Sequence, residues 1–208
     1  MALNDIIVSS IQIFAVLNPI SIIPVFLAYT HKQTGLERQK IVAGAIGIVA
    51  VLSVLVVFTG QLILDGVGIT VDSFRLAGGI LLLITAIDMF GGMARGKRIE
   101  DDESGEDSKI KESLLEMAAV PLATPLLLGP GSITLMITFS YQMSSLDLLI
   151  GVFLALGISG VILALGNGLK RIIGDSGIKL LSRLMSLIVA SVAIEFIHTT
   201  LVAWGIAV

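Results

Sequence analysis

Two short motifs could present bare peptide groups to a small ligand. They are Leu17-Asn18-Pro19-Ile20-Ser21-Ile22 and Leu128-Gly129-Pro130-Gly131-Ser132-Ile133, identical at four of six positions and a little over half the chain apart. Proline inside a helix removes one amide donor and releases the carbonyl four residues back, at roughly 3 kcal/mol per interruption. All 5 prolines, Pro19, Pro24, Pro121, Pro125 and Pro130, fall within apolar stretches, and the polar segments contain none. In hydrocarbon such backbone persists only where protein or a hydrated cavity supplies partners. A helix restarting after each motif would carry Ser21 or Ser132 at its N-cap, with Pro24 tolerated in the following first turn. Such a start offers amide donors and about half a positive charge to a carboxylate or other small anion. The released carbonyls, Ala15 and Ile20 among them, suit an ammonium or a cation. Asn18 can donate and accept at the same spot, while Gly129 and Gly131 allow close backbone approach. The candidate binding set is therefore Asn18, Pro19, Ser21, Pro24, Pro125, Gly129, Pro130, Gly131 and Ser132. The bland alternative is a pair of kinks that merely fits helices together.

Intramembrane acids form the second constellation. A charged side chain near the centre of a span costs roughly 2.5–3.5 kcal/mol on insertion scales. Glu195 lies about midway along its apolar run, and His198, three residues on, shares its helical face. Asp88 sits closer to the end of another run. Proton or sodium coupling through Asp88, Glu195 and His198 is one reading, and a structural Glu-His hydrogen bond is the other. Glu195-x-x-His198 is a poor metal motif, because the only other histidine is His31 in a polar segment and the chain has no Cys. No metal or cofactor is called for. No nucleophile, base and orienting group converge in a pattern that would make this an enzyme.

The elements that would hold these residues follow from composition. Of 208 residues, 55% are hydrophobic and 14% charged, and the mean hydropathy is +1.01. That exceeds what one water-soluble core could hide, so the bilayer is the solvent. With about 20 apolar residues needed per crossing, six spans are expected: Ile6 to Tyr29, Ile41 to Leu64, Leu76 to Ala94, Leu114 to Tyr141, Leu148 to Leu169 and Leu184 to Ala207. The first run is too long for a signal peptide and lacks its basic flank, so it is expected to stay in the mature protein. A net charge of -3 argues against nucleic acid as a partner.

Of the 13 basic residues, all but Arg75 fall in the first, third and fifth connections, which include Lys32, Arg38, Lys40, Lys170, Arg171, Lys179 and Arg183. The positive-inside rule then puts those connections in the cytoplasm and both termini outside, in the cytoplasmic (inner) membrane. The third connection also carries Glu100, Asp101, Asp102, Glu103, Glu106 and Asp107, and reads as a solvated linker. A second internal match, Ala86-Ile87-Asp88 beside Ala193-Ile194-Glu195, keeps the order of the first. The expected fold is all-α, with six transmembrane helices in two inverted three-helix repeats, the first and fourth helices broken at the Pro motifs. Residues 1–94 form one repeat, 95–113 the linker and 114–208 the other.

At these motifs the chain resembles the MarC family of bacterial and archaeal integral membrane proteins, more distantly related to LysE-type exporters. The resemblance is carried by Asn18-Pro19, Pro24-Val25-Phe26, Asp72-Ser73-Phe74-Arg75, Ala77-Gly78-Gly79, Pro121-Leu122-Ala123, Pro125, Gly129-Pro130-Gly131 and Arg183-Leu184-Met185, across nearly the whole chain. It implies a six-span transporter with outside termini that moves small neutral amino acids such as glycine and alanine. Functional residues transfer to Asn18, Pro19, Pro24, Gly129, Pro130 and Gly131 only. Ser21 and Ser186 stand where Gly would be more usual, which leaves substrate identity open. The expected partners are an amino acid, the lipid bilayer, H+ or Na+ and, as an open possibility, further copies of the chain. The rival functions are an ion or metal exporter and a non-transporting membrane scaffold.

Overall fold

The computed structural model describes residues 2–90 and 118–206. Every regular element among them is helical, and five segments are long and apolar enough to cross a membrane: Leu3–Tyr29, Gly35–Val67, Val71–Phe90, Ser145–Ala164 and Gly166–Ala203. The acidic linker and the start of the fourth expected span lie outside the described residues.

In chain order the helices are α1 (Ala2–Leu17), α2 (Pro19–Tyr29), α3 (Gly35–Val67), α4 (Val71–Phe90), α5 (Ala118–Leu127), α6 (Pro130–Ser140), α7 (Ser145–Ala164) and α8 (Gly166–Ala203). Their boundaries follow local chemistry. Thr34 and Glu37 form a reciprocal capping box at the start of α3, and Gly68 closes that helix at φ 74°. Ser144 caps α7 by accepting from the Asp147 amide. Thr30 ends α2 with its hydroxyl on the Phe26 carbonyl at 2.7 Å, and the Arg38 guanidinium donates to the Thr30 carbonyl at 3.0 Å, where a cation suits a helix C-terminus. α5 is wound as a π-helix, and the same wide register carries past its end, where the Leu128 amide reaches the Ala123 carbonyl at 2.9 Å.

Several expected limits shift. α3 has 33 residues, so it is about 50 Å long against a hydrocarbon core of about 30 Å. Its first turns carry Arg38 and Lys40, which the sequence reading had placed in a loop. The fifth connection is also helical. α7 stops at Ala164 and α8 starts at Gly166, so Lys170, Arg171, Lys179 and Arg183 all sit on α8. Glycine provides the bend there, because Gly174 adopts φ 72° and ψ 172° within α8, a conformation closed to most residues.

The core is mainly apolar, with Ile13, Leu17, Ile23, Leu82, Leu135, Leu148 and Leu156 buried, and it also takes in polar residues such as Asn18, Arg75, Ser132 and Thr138. The outside is apolar too: Leu62, Phe58, Phe153 and Leu187 face outward, as expected where lipid replaces water. α1 and α2 pack on α7, and α5 and α6 pack on α3. α4 packs on α6, and α8 on α1 and α2, while α3 meets α7 and α4 lies along α8 in the most extensive pairing among the described helices.

Candidate functional site

Proline can open a helix but cannot continue one without losing a hydrogen bond. The residue before each opening proline is accordingly the N-cap. Asn18 caps α2 and Gly129 caps α6, with Pro19 and Pro130 in the first helical positions. This corrects the expectation that Ser21 and Ser132 are the caps. Both lie three residues further along, inside the first turn.

Asn18 is almost fully buried and left-handed, at φ 44° and ψ 60°. It is the one described non-glycine residue with positive φ, a conformation Asn tolerates better than most. Its amide continues α1 by donating to the Phe14 carbonyl at 3.0 Å. Its side-chain oxygen accepts from the Ser21 amide at 3.4 Å, and its side-chain nitrogen points at the Met89 sulfur 3.8 Å away.

Beyond Asn18 the helix borders a cavity of about 320 Å³, lined by Ser21, Pro24, Met89, Ser182, Lys179 and Arg183 among others. This is near the lower end of the usual ~300–1,000 Å³ for ligand pockets. The Ser21 and Ser182 hydroxyls hydrogen bond each other across it, tying α2 to α8. Arg183 also lies 6.0 Å from the Phe90 ring centroid, in range for a cation–π contact. The cavity thus offers two hydroxyls and two cations among apolar side chains, which suits a small solute bearing a carboxylate.

The second motif borders a different space. Gly129, Pro130, Gly131 and Ser132 line a pocket of about 20 Å³ with Val16 and Met89, room for about one water. Gly129 is extended, at φ -100° and ψ 175°, with no side-chain cap. The Ser132 hydroxyl is buried and donates to the Gly129 carbonyl at 2.9 Å. A Cβ built on Gly131 would sit 2.4 Å from Leu82 Cδ2, so glycine is what lets α6 close on α4. Met89 lines both spaces and touches Asn18, so the two motifs meet around one thioether. Pro125 lies within α5.

The acids are not brought to either space. Asp88, Glu195 and His198 are exposed on the outer faces of α4 and α8, and Glu195 accepts a hydrogen bond from the Thr199 hydroxyl at 3.3 Å. Among the described residues no three His, Cys, Asp or Glu side chains gather as a metal site.

Sequence reasoning missed Lys179, Ser182, Arg183 and Met89. The three on α8 were hidden by their run of charge, which imitates a solvated loop. The available signal was spacing, since Lys179, Ser182 and Arg183 are three and four residues apart and share one helical face. Met89 carries no signal beyond its adaptability as a gap filler.

The family described as MarC family integral membrane protein matches residues 3–204. The chain is 35% identical over 193 residues to UPF0056 membrane protein YhcE of Escherichia coli (strain K12), covering 91% of this chain and 88% of that one. It is 34% identical over 205 residues to UPF0056 membrane protein MJ1677 of Methanocaldococcus jannaschii, covering 95% and 96%. It is 33% identical over 189 residues to UPF0056 membrane protein PYRAB13050 of Pyrococcus abyssi, covering 90% and 89%. No solved structure matches the chain.

Proposed function

The chain belongs to the MarC family of multi-pass integral membrane proteins, and from that premise we propose that it is a secondary transporter of small neutral amino acids, working by alternating access. The observation that carries this reading is the cavity beside the Asn18 junction, where Ser21, Ser182, Lys179 and Arg183 line a space of about 320 Å³. In this account the substrate carboxylate meets those cations and hydroxyls, and its ammonium meets carbonyl oxygens near the Asn18 junction. The bilayer is the cytoplasmic membrane, and the end rich in Lys and Arg faces the cytoplasm. The cavity then belongs to the inner half.

Six spans in two inverted repeats remain part of the proposal, and the packing supports it. Exchanging the first, second and third segments for the fourth, fifth and sixth leaves the pattern of neighbours unchanged in outline. First-on-fifth mirrors fourth-on-second, third-on-fourth mirrors sixth-on-first, and the second–fifth and third–sixth pairs map onto themselves. Such repeats let one half rock against the other around a central site. Coupling to H+ or Na+ through Asp88, Glu195 or His198 would act from the outer faces of α4 and α8, not from the cavity wall, and Glu195→Gln in a pH gradient reads it.

The test is uptake of labelled alanine or glycine into proteoliposomes. Wild-type protein is expected to carry both, and Asn18→Ala is expected to lower flux about tenfold or more. Equal flux in protein and protein-free vesicles would remove the transport reading, and unchanged flux in Asn18→Ala would remove the site.

A further inference from the structure

A third internal correspondence links Arg75-Leu76-Ala77-Gly78 on α4 to Arg183-Leu184-Met185-Ser186 on α8, at nearly the separation that relates the two proline motifs. The two helices run antiparallel along each other. The Thr200 hydroxyl reaches the Asp72 carbonyl at 3.4 Å at one end. A Cβ built on Gly79 would lie 3.0 Å from the Ala193 carbonyl in the middle, and Arg183 stands over Phe90 at the other end. Arg75 and Arg183 therefore occupy matching places at opposite ends of one helix pair.

Their surroundings differ. Arg183 is exposed and lines the large cavity. Arg75 is only 8% exposed. Its Nη1 pairs with Asp72 at 3.2 Å, and its Nε has no partner among the described residues. A buried guanidinium edge left unpaired is costly, and a carboxylate is the group its planar fork fits best. A second unpaired group lies close by in register. Gly131 abuts Leu82 and Thr134 abuts Gly78, so α6 and α4 run antiparallel and the next turn sets Thr138 at the level of Arg75. The Thr138 hydroxyl is fully buried and without a partner among the described residues. Ser132, the counterpart of Ser21, is buried six residues before Thr138 with its hydroxyl already on the Gly129 carbonyl.

We infer that Arg75 is the outer counterpart of Arg183: when the inner cavity closes, an equivalent cavity opens at the opposite end, where Arg75 and Thr138 receive the same substrate's carboxylate. This rests on the transporter reading above and adds a second binding position to it. The present conformation holds that position shut, with α6 pressed against α4 through Gly78 and Gly131.

Two measurements test it. In proteoliposomes with one protein orientation, Arg75→Gln is expected to raise KM for alanine at the outer face about tenfold or more, leaving the inner-face KM within about twofold. Arg183→Gln is expected to do the reverse, and Arg75→Lys to recover part of the loss. Alanine transport with both KM values unchanged, or equally changed, in Arg75→Gln overturns the inference and leaves the transport reading intact. Should Arg75→Gln fail to fold, the absence of native Cys allows a second reading from a single Thr138→Cys. It should react with a membrane-impermeant thiol reagent added outside while alanine is exchanged. A thiol that never reacts from outside while alanine is exchanged overturns the inference. No alanine movement in any wild-type preparation defeats the transport reading instead, and the inference falls with it.

Discussion

The junctions at Asn18-Pro19 and Gly129-Pro130 begin a helix in the same way and are held by different forces. At Asn18 a side chain is the cap, the backbone is left-handed, and the helix it starts borders a cavity of about 320 Å³. At Gly129 the backbone is extended, no side chain caps the helix, and the adjoining space is about 20 Å³. One junction depends on a particular polar side chain and the other on the absence of any side chain. In the account proposed here, the difference records a single stage of a cycle, with the inner half open around Ser21 and the outer half closed around Gly131.

If that contrast is real, added volume should hurt the second junction most. Gly131→Ala places a Cβ against buried Leu82, and is expected to cost up to about 3 kcal/mol of stability by overpacking. Leu82→Ala should recover part of this in the double variant, as denaturation in detergent would show. Next in size is Met89→Ala, which removes the side chain shared by both spaces. It should cost about 2 kcal/mol and raise alanine leak without a driving gradient, measured as efflux from loaded vesicles.

The first junction should respond to side-chain chemistry instead. Asn18→Leu loses the cap and forces a branched residue into positive φ, for about 1–2 kcal/mol. Asn18→Gly tolerates that backbone and should cost only a few tenths by comparison. A reversed ranking in thermal melts would show that capping and backbone geometry do not govern this position. The smallest effect belongs to Ser182→Ala, which deletes the hydroxyl bond to Ser21. About 1 kcal/mol or less is expected, with a rise in alanine KM at the inner face larger than the stability loss implies.

The helical, membrane-embedded character and the family were legible because composition and ordered motifs fix them. The helix starts at Pro19 and Pro130 were marked by a residue suited to little else in an apolar run. Cap identity was misread because each helix was expected to restart after its whole motif, whereas the proline itself opens the helix and makes the residue before it, here Asn or Gly, the cap. Lys179 and Arg183 were missed because charge density cannot distinguish a loop from a helix bent at Gly174 with one face on a cavity. The facing of Asp88 and Glu195 was unreadable for another reason. In a span apolar on all sides the pattern carries little helical phase, so an acid's depth can be read but its direction cannot.

The most direct test of the central claim uses Ser21→Cys in this otherwise cysteine-free chain. The rate of its modification by an impermeant thiol reagent from the cytoplasmic side would be followed as alanine is added. The account predicts modification that slows at least severalfold as alanine approaches the concentration that half-saturates transport. Alanine flux that persists while the modification rate stays constant up to saturation would contradict it.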